Sequence, residues 1–312
     1  MNEPILSLQK LAWRLGVPVN RLRQLADEIS RDHREHYNAF ALKTGKDKIR
    51  QIRPPKEELK AIQRKIVKRV LAPIGLAPTA HGGVPGRSQR SNAELHLGQA
   101  RVVTVDVKNF FDRVQHRRIY RMFRNEHGFG ADVSRLLTRL ITLRGSLPQG
   151  APTSPAAANL FLRRAVDEKL GSTLAKLPVT YSRFIDDLTF SGPDPRSLIT
   201  TVAHLLSECG LTVKKSKVKI APRHCPQKVT GLLVNSATGG RLTIPRAQRE
   251  AVRAAIHQLP RLAIRKEWDK QVRSIRGRIA HVERYHPGDG ARLRKCLRVA
   301  LDGQQPKSDA PL

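Results

Sequence analysis

Three aspartates at two places in the chain have residue types and surroundings suited to metal chemistry. Asp106 ends a β-branched run at 102–105, and the adjacent pair Asp186-Asp187 interrupts an alternating apolar pattern at 179–190. Carboxylate oxygens are the ligands that hard cations such as Mg²⁺ prefer. Three carboxylates can hold two ions roughly 3.5–4 Å apart, the arrangement that serves in-line displacement at phosphorus. The sequence therefore predicts that these three residues are catalytic and bind two Mg²⁺ ions.

An adjacent pair of aspartates can also be an ordinary turn, in which a side chain bonds to its own backbone. Two observations favour the metal site. Adjacent carboxylates repel each other and need a neutralising cation when they lie close together. All three aspartates also adjoin strongly apolar residues, which places them at the rim of a core and not on a solvated face.

The strands that would carry these aspartates can be predicted from apolar periodicity. The run at 102–105 predicts a buried strand that ends on Asp106. The pattern at 179–190 predicts two short strands with the acidic pair at their turn. A second hairpin is predicted from 229–234 and 241–244, turning at the Gly-Gly pair 239–240.

Helical periodicity covers much of the remaining chain. It is expected at 5–30, 56–71, 117–143, 156–164 and from 245 onward. The segment at 5–30 is broken at Gly16, so it is either a helix-turn-helix or a pair of helices that pack on a domain, and packing is favoured.

The charge balance indicates the class of partner. The chain has 58 lysines and arginines against 26 acidic residues, a formal net charge of +32. Such an excess needs a polyanion, and nucleic acid is the usual one. A ribosomal or histone-like protein would share this composition. A membrane-surface binder is disfavoured because the basic residues are spread along the whole chain.

The cysteines and the N-terminus indicate the compartment. Cys209, Cys225 and Cys296 are far apart and lack the spacing of a disulfide framework or a zinc site, which fits a reducing cytoplasm. No signal peptide and no apolar run of the roughly 20 residues needed to span a bilayer is present in the sequence. The sequence thus predicts a cytoplasmic protein without a membrane partner.

Three ordered motifs resemble those of reverse transcriptases. Residues 106–111 (Asp-Val-Lys-Asn-Phe-Phe) are similar to the first catalytic motif, 147–155 (Leu-Pro-Gln-Gly-Ala-Pro-Thr-Ser-Pro) to the second palm motif, and 184–187 (Phe-Ile-Asp-Asp) to the aromatic-x-Asp-Asp box. Within that family the chain resembles retron reverse transcriptases, which carry motifs similar to 92–96 (Asn-Ala-Glu-Leu-His) and 229–231 (Val-Thr-Gly). The resemblance extends over about 43–299.

The resemblance implies an α+β right-hand polymerase with fingers, a palm of antiparallel sheet plus helices, and a helical thumb. The implied segments are an N-terminal helical segment 1–35, fingers 36–100, a palm 101–240 with helices at 117–145, a basic helical thumb 241–303 and a disordered tail 304–312.

It also implies a set of residues that contact the incoming deoxynucleoside triphosphate. Lys48 and Arg50 match the fingers segment that grips the triphosphate, and Phe111 matches the aromatic residue that blocks a ribose 2′-hydroxyl. Gln149 lies where the family contacts the nucleotide sugar and template. Lys217 is a candidate acid on the phosphate side.

RNA recognition is expected from the retron motifs and from the basic C-terminal part. Residues 241–302 carry 16 lysines and arginines against 6 acidic residues, so this part would contact phosphates. The predicted RNA-binding residues are Asn92, His96, Val229, Thr230, Gly231, Arg246, Arg249, Arg253, Arg273 and Arg276. Asn92 and His96 are as well explained by buried structural hydrogen bonds.

The function implied by the resemblance is an RNA-directed DNA polymerase that binds its own structured noncoding RNA. It would prime from a guanosine 2′-hydroxyl, make a branched multicopy single-stranded DNA that stays bound, and act in anti-phage defence with a separately encoded effector protein. The sequence leaves open whether the chain forms a homo-oligomer. Two positions depart from the family: Phe184 replaces the usual Tyr, and Lys214 stands where Asn is common.

Two other functions are compatible with parts of the sequence. A group II intron or diversity-generating reverse transcriptase would share the palm motifs, but an intron enzyme needs a maturase domain for which 312 residues leave no room. An idle RNA-binding scaffold would be expected to have lost at least one of the three aspartates, and all three are present.

Overall fold

The computed structural model describes residues 3–43, 49–235, 240–262 and 264–302. Its helices are α1 (Leu8–Leu15), α2 (Val19–Arg31), α3 (Glu57–Ile66), α4 (Gln89–Glu94), α5 (Phe110–Arg113), α6 (His116–Arg121), α7 (Ala131–Ile141), α8 (Thr153–Leu162), α9 (Glu168–Leu174), α10 (Leu198–Glu208), α11 (Arg246–Gln258), α12 (Arg265–Tyr285) and α13 (Pro287–Asp302). Its strands are β1 (Phe40–Lys43), β2 (Ile49–Ile52), β3 (Arg101–Asp106), β4 (Thr180–Phe184), β5 (Asp187–Gly192), β6 (Lys219–Pro222), β7 (Lys228–Val229) and β8 (Leu232–Leu233).

The chain forms two compact units. The first contains residues 1–92 and 100–220, and the second contains 93–99 together with 221–312. Most of the predicted fingers and most of the predicted palm therefore share one unit, whereas residues 93–99 of the predicted fingers belong to the second. The second unit begins before the predicted thumb boundary at 241. The predicted disordered tail lies outside the described residues.

The first unit is built on one large hydrophobic core. Helices α1 and α2 meet at Gly16, whose backbone is left-handed with φ 62°. Their inner faces contribute Leu11, Leu15, Leu22 and Leu25, all fully buried. Because α2 packs on α7 and α1 packs on α3 and α7, the pair covers the core as the packing hypothesis predicted.

An antiparallel sheet lies at the centre of the first unit and carries the predicted catalytic strands. Its strand order is β4-β5-β3-β6. Strands β3 and β5 pair from Arg101 opposite Gly192 to Asp106 opposite Asp187. The inward side chains of these strands are apolar and fully buried, among them Val103, Leu188 and Phe190. The predicted strand at 102–105 and the hairpin at 179–190 are confirmed.

The helical stretch predicted at 117–143 is divided into two helices. Helix α6 continues as a π-helical turn (Met122–Glu126), and α7 begins only after Gly130. The amide of Gly130 donates to the carbonyl of Ile5 at 2.9 Å. A Cβ atom at Gly130 would lie 2.1 Å from the carbonyl oxygen of Leu6, so only glycine permits the N-terminal segment to cross here.

The prediction of a continuous strand at 229–234 was wrong. The segment forms its own tight hairpin from β7 and β8, with Val229 opposite Leu232. The turn residues Thr230 and Gly231 both have positive φ, 45° and 91°, as the two-residue turn of a hairpin requires. The predicted pairing with 241–244 survives as one bridge, in which the Leu233 amide donates to the Thr243 carbonyl at 2.8 Å.

The C-terminal helices form the hydrophobic core of the second unit. Helices α11, α12 and α13 each pack on the other two. Their buried side chains follow helical spacing and include Val252, Ile256, Ile275, Ile279 and Leu293. Across the described ranges, the structure contains no helix that is both long and apolar enough to cross a membrane.

Candidate active site

The antiparallel sheet brings the three aspartates together. Asp106, the last residue of β3, lies directly opposite Asp187, the first residue of β5. Asp187 in turn faces Phe184 of β4, which leaves Ile185 and Asp186 as the two-residue turn between these strands. Because residues directly opposite in an antiparallel pair lie close together, the strand register brings the backbones of the three predicted residues to the same end of the sheet.

The surroundings of Asp186 disfavour a negative charge on its carboxyl group. Burial, together with the negative charges of Asp187 and Asp106, raises the pKa of Asp186 from its ordinary value of 3.8 to about 6. Arg50 acts in the opposite direction, so this predicted nucleotide contact lies within electrostatic range of the carboxylates. A cation bound between the aspartates would relieve their repulsion.

Lys217 forms an ion pair with one of the three aspartates. Its Nζ lies 2.5 Å from Oδ2 of Asp106. The backbone arranges this contact, because the Lys108 amide donates to the Thr212 carbonyl and the Lys214 amide donates to the Asp106 carbonyl at 2.9 Å. In the part of the chain that the structure describes, no three acidic, histidine or cysteine side chains already form a complete set of metal ligands. The Asp106 carboxylate is held by Lys217 instead.

Phe111 is the second residue of helix α5, five positions after Asp106 in the chain. Asn109 precedes this helix in the left-handed conformation, with φ 48°. The two phenylalanines that follow have different environments. Phe110 is 2% exposed and belongs to the core. Phe111 is half-buried and packs edge-on against Phe110 with 5.3 Å between ring centroids. The structure thus assigns core packing to Phe110 and leaves Phe111 accessible.

The predicted sugar-side loop packs against the end of strand β2. The carbonyl of Gln149 accepts a hydrogen bond from the Arg53 amide at 2.7 Å. The next residue, Gly150, has φ 102°, and a Cβ there would lie 3.0 Å from a methyl group of Ile52. This contact joins the loop to the hairpin that carries Arg50. Lys48, the other predicted triphosphate contact, lies outside the described residues.

The retron-like motif at 229–231 belongs to the second unit, and the motif at 92–96 spans the position where the first unit ends and the second begins. Asn92 and His96 are both fully buried. The Gly98 amide donates to the Val234 carbonyl at 3.2 Å, and the Gln227 side chain donates to the Gln99 carbonyl at 3.2 Å. These bonds tie the residues that follow His96 to the β7–β8 hairpin, so two motifs distant in sequence belong to one substructure.

The predicted RNA-binding arginines differ in their exposure. Arg253, Arg273 and Arg276 are exposed on α11 and α12. Arg246 is also exposed and pairs with Glu250 within its own helix, whereas Arg249 is half-buried and bound to Asp289. Arg253, Arg273 and Arg276 have no such counter-ion among the described residues, so they are the better placed for phosphate contacts.

A buried polar cluster that includes Arg183, three residues before the acidic pair, was not predicted from the sequence. Arg183, Asp167 and Asn159 are all buried and bonded to one another. One signal could have revealed it: Arg183 occupies an inward position in the alternating pattern of its strand, and a charge at such a position requires a buried counter-ion.

Comparisons with known proteins identify the family of this chain. A family model described as "Reverse transcriptase (RNA-dependent DNA polymerase)" matches residues 41–234. The retron Mx65 reverse transcriptase of Myxococcus xanthus is 33% identical, over 91% of this chain and 70% of the relative. The chain belongs to the retron reverse transcriptase family. The retron Mx162 enzyme of the same organism is also 33% identical, over 98% of this chain and 68% of the relative. The retron Ec86 enzyme of Escherichia coli is 28% identical, over 81% and 78%.

A solved structure has a more distant likeness. Telomerase from Candida albicans, in complex with a TWJ fragment of telomeric RNA, aligns with a TM-score of 0.45 and 11% identity, over 94% of this chain and 66% of the telomerase chain. As a retron reverse transcriptase, the chain is an RNA-directed DNA polymerase with a right-hand fold and an RNA template as its partner.

Proposed function

We propose that this reverse transcriptase binds its own structured noncoding RNA, primes from a guanosine 2′-hydroxyl in that RNA and makes a branched multicopy single-stranded DNA. The observation that carries the catalytic part is the strand register that sets Asp106 opposite Asp187 with Asp186 beside them. The retron-specific part is supported by the relatives, whose printed names are retron reverse transcriptases and which match over most of this chain.

The three aspartates would hold two Mg²⁺ ions. Bound there, the ions would make the priming hydroxyl a stronger nucleophile and stabilise the pyrophosphate that leaves. The raised pKa of Asp186 supports this assignment, because burial and the neighbouring charges of Asp187 and Asp106 both disfavour its negative charge when no cation is bound. Lys217 would exchange its ion pair with Asp106 for the phosphates of the substrate, where its ammonium could donate a proton to the leaving group.

The remaining nucleotide contacts would surround the base and sugar. Phe111 would exclude a ribose 2′-hydroxyl by steric contact, which the partial exposure of its ring allows. Gln149 would contact the sugar and template, and its loop is fixed against Arg53. Arg50 and Lys48 would bind the triphosphate, and the electrostatic influence of Arg50 on Asp186 supports this role for Arg50.

The second unit would recognise the RNA. Exposed Arg253, Arg273 and Arg276 would contact phosphates, with Arg246 and Arg249 released from their carboxylate partners to do the same. Asn92 and His96 are fully buried, so they would act from inside the protein and not by direct contact with RNA; within the described residues the Asn92 side-chain amide has no hydrogen-bond partner. We further propose a cytoplasmic enzyme that works in anti-phage defence with a separately encoded effector protein.

The catalytic proposal is tested by removing two of the charges. The double variant Asp186→Asn/Asp187→Asn is expected to bind RNA like the parent and to make no DNA on a primed RNA template, because neutral amides cannot hold the metal ions. Asp132→Asn is the matched control, since this aspartate is exposed on α7 and pairs only with Arg135. Retained DNA synthesis by the double variant would disprove the catalytic assignment.

The retron proposal is tested in cells that express the gene with its flanking DNA. A short DNA that RNase reduces to a core with a few ribonucleotides at one branch point is expected. If the purified enzyme extends an ordinary primer but the cells contain no branched DNA, the enzyme belongs to another class of reverse transcriptase.

A further inference from the structure

A buried charged cluster lies immediately behind the turn that carries Asp186. Arg183 is 0% exposed on strand β4, and its Nε and Nη2 donate to the carboxylate of Asp167 at 2.9 and 2.8 Å. Its Nη1 donates to the side-chain oxygen of Asn159, and its Nη2 donates to the Asn159 carbonyl at 3.0 Å. The Tyr181 hydroxyl donates to the same Asp167 carboxylate at 2.8 Å. All three nitrogen atoms of the guanidinium therefore donate hydrogen bonds, which fixes its orientation.

Stability alone does not explain this cluster. Removing two charges from water is expensive, and exchange of a buried ion pair for apolar residues of similar volume is often neutral or stabilising. The side chains of Arg183 and Asp167 are only 0% and 4% exposed, so water does not offset the cost of removing their charges from solvent. A buried charged cluster kept at such a position indicates a requirement for precise geometry.

The cluster is joined to the catalytic turn by a chain of close contacts. The Asn159 side-chain amide donates to the Gly82 carbonyl at 2.8 Å. The segment that contains Gly82 pairs with β4, because the Arg183 amide donates to the Thr79 carbonyl and the His81 amide donates to the Arg183 carbonyl. A Cβ at Gly82 would lie 2.7 Å from the amide nitrogen of Ile185, so the glycine backbone presses directly on the turn.

The turn itself is in a conformation that needs support. Ile185 has φ 59°, a left-handed conformation that is unfavourable for a β-branched residue. Strain of this kind is of the order of 1–3 kcal/mol and persists only where the surrounding structure imposes it. Arg183 supplies a direct contact, since its Nη1 lies 3.5 Å from the Ile185 carbonyl. Relaxation of Ile185 would rotate the next residue, Asp186, away from Asp106.

We propose that Arg183, with Asp167 and Asn159, is a positioning residue that holds the strained Ile185 turn and thereby sets the spacing of the metal-binding carboxylates. Arg183 touches no substrate in this role. The inference rests on the proposed metal site, which it deepens by naming the buried residues on which the geometry of that site depends.

The test separates positioning from stability. The variant Arg183→Met/Asp167→Leu/Tyr181→Phe removes both charges and the hydroxyl that would lose its acceptor. We expect it to unfold at the same or a higher temperature than the parent, yet to bind Mn²⁺, measured by electron paramagnetic resonance on the full chain, about tenfold more weakly, as is typical when residues that orient metal ligands are lost. The Mg²⁺ concentration that half-saturates primer extension should rise, and the maximal rate should recover at high Mg²⁺.

Two further variants keep the inference falsifiable if the triple variant does not fold. Arg183→Lys retains the charge but not the two-lobed geometry and should weaken Mn²⁺ binding in the same direction. Ile185→Gly accepts the left-handed backbone without strain, so in the Arg183→Lys background it should restore part of the lost affinity. Mn²⁺ binding equal to the parent in Arg183→Lys, or no restoration by Ile185→Gly, overturns the inference.

Controls distinguish this inference from the proposed function. Lys169→Met/Glu208→Gln removes an exposed ion pair of the same unit and should leave Mn²⁺ binding unchanged. If Asp186→Asn/Asp187→Asn binds Mn²⁺ like the parent, the metal site itself is wrong. If that variant loses binding while every Arg183 variant binds normally, the metal site stands and only the positioning role fails.

Discussion

The charge of Asp186 depends strongly on its surroundings. Its side chain lies at a turn that is partly buried and that faces two other acids, and the pKa near 6 follows from burial and from Asp187 and Asp106. The Asp106 carboxylate forms an ion pair with Lys217, whose Nζ lies 2.5 Å from Oδ2. Asp187 is exposed at the start of β5. The ability of the site to accept a cation is therefore linked to the loss of one proton from Asp186.

This linkage predicts a steep pH dependence of metal binding. Below about pH 6 the metal must displace a proton from Asp186, so the apparent Mn²⁺ or Mg²⁺ affinity should fall about tenfold for each further pH unit. Binding measured by electron paramagnetic resonance or calorimetry at pH 7.5, 6 and 5 checks this. An affinity that is constant down to pH 5 would contradict the raised pKa.

The stability of the metal-free protein should show the opposite trend. Because the folded pKa of Asp186 is raised, the folded state binds this proton more tightly than the unfolded chain does. The contribution of Asp186 to stability is then complete below its ordinary pKa of 3.8 and is lost as the pH rises through about 6. Urea unfolding in EDTA should show this loss in the parent and not in Asp186→Asn.

Helices and hairpins of this chain end where backbone crowding or turn geometry requires it. The break between α6 and α7 lies at Gly130, where the N-terminal segment crosses the chain, and the β7–β8 hairpin turns at Thr230 and Gly231 because both adopt positive φ. Apolar periodicity does not contain this information, because a crossing segment or a left-handed residue leaves the spacing of apolar side chains unchanged.

A pair of glycine substitutions tests the crossing. Gly130→Ala is expected to destabilise the fold by about 1–3 kcal/mol, since its Cβ would lie 2.1 Å from the Leu6 carbonyl oxygen. Gly171→Ala is the matched control: this glycine lies within α9, and a Cβ there meets no atom within 4 Å. It should stabilise by about 0.5–1 kcal/mol through helix propensity. Thermal unfolding of both variants provides the measurement, and equal melting temperatures would contradict the proposed crowding.

For the molecule as a whole, the formal net charge of +32 controls its encounter with nucleic acid. Each phosphate that is neutralised releases counterions, so binding weakens linearly in logarithmic units as salt concentration rises. The second unit has exposed arginines along α11 and α12, and those without an acidic partner in the described part of the chain include Arg273 and Arg276. Their location, and not the total charge alone, is expected to determine RNA affinity.

This expectation can be tested with two double variants that have the same net charge as each other. Arg273→Gln/Arg276→Gln should weaken RNA binding and reduce the slope of log affinity against log salt by about 1 to 2, with little dependence on RNA sequence. Arg135→Gln/Arg196→Gln removes the same charge from exposed positions of the first unit and should change the slope little. Filter binding at several salt concentrations compares them, and equal losses in both variants would show that only the total charge matters.

The amino-acid sequence by itself determined the chemistry of this protein: the three aspartates, the strands that end on them, the basic second unit and the family. These follow from local patterns, because strand alternation and turn residues act over a few neighbouring positions. Only the tertiary structure decided which distant residues meet. Asp167 lies sixteen positions before Arg183, and Lys217 is far along the chain from Asp106, so neither ion pair is encoded in a local period. The acidic turn was thus predictable, whereas the buried residues behind it became visible only through packing.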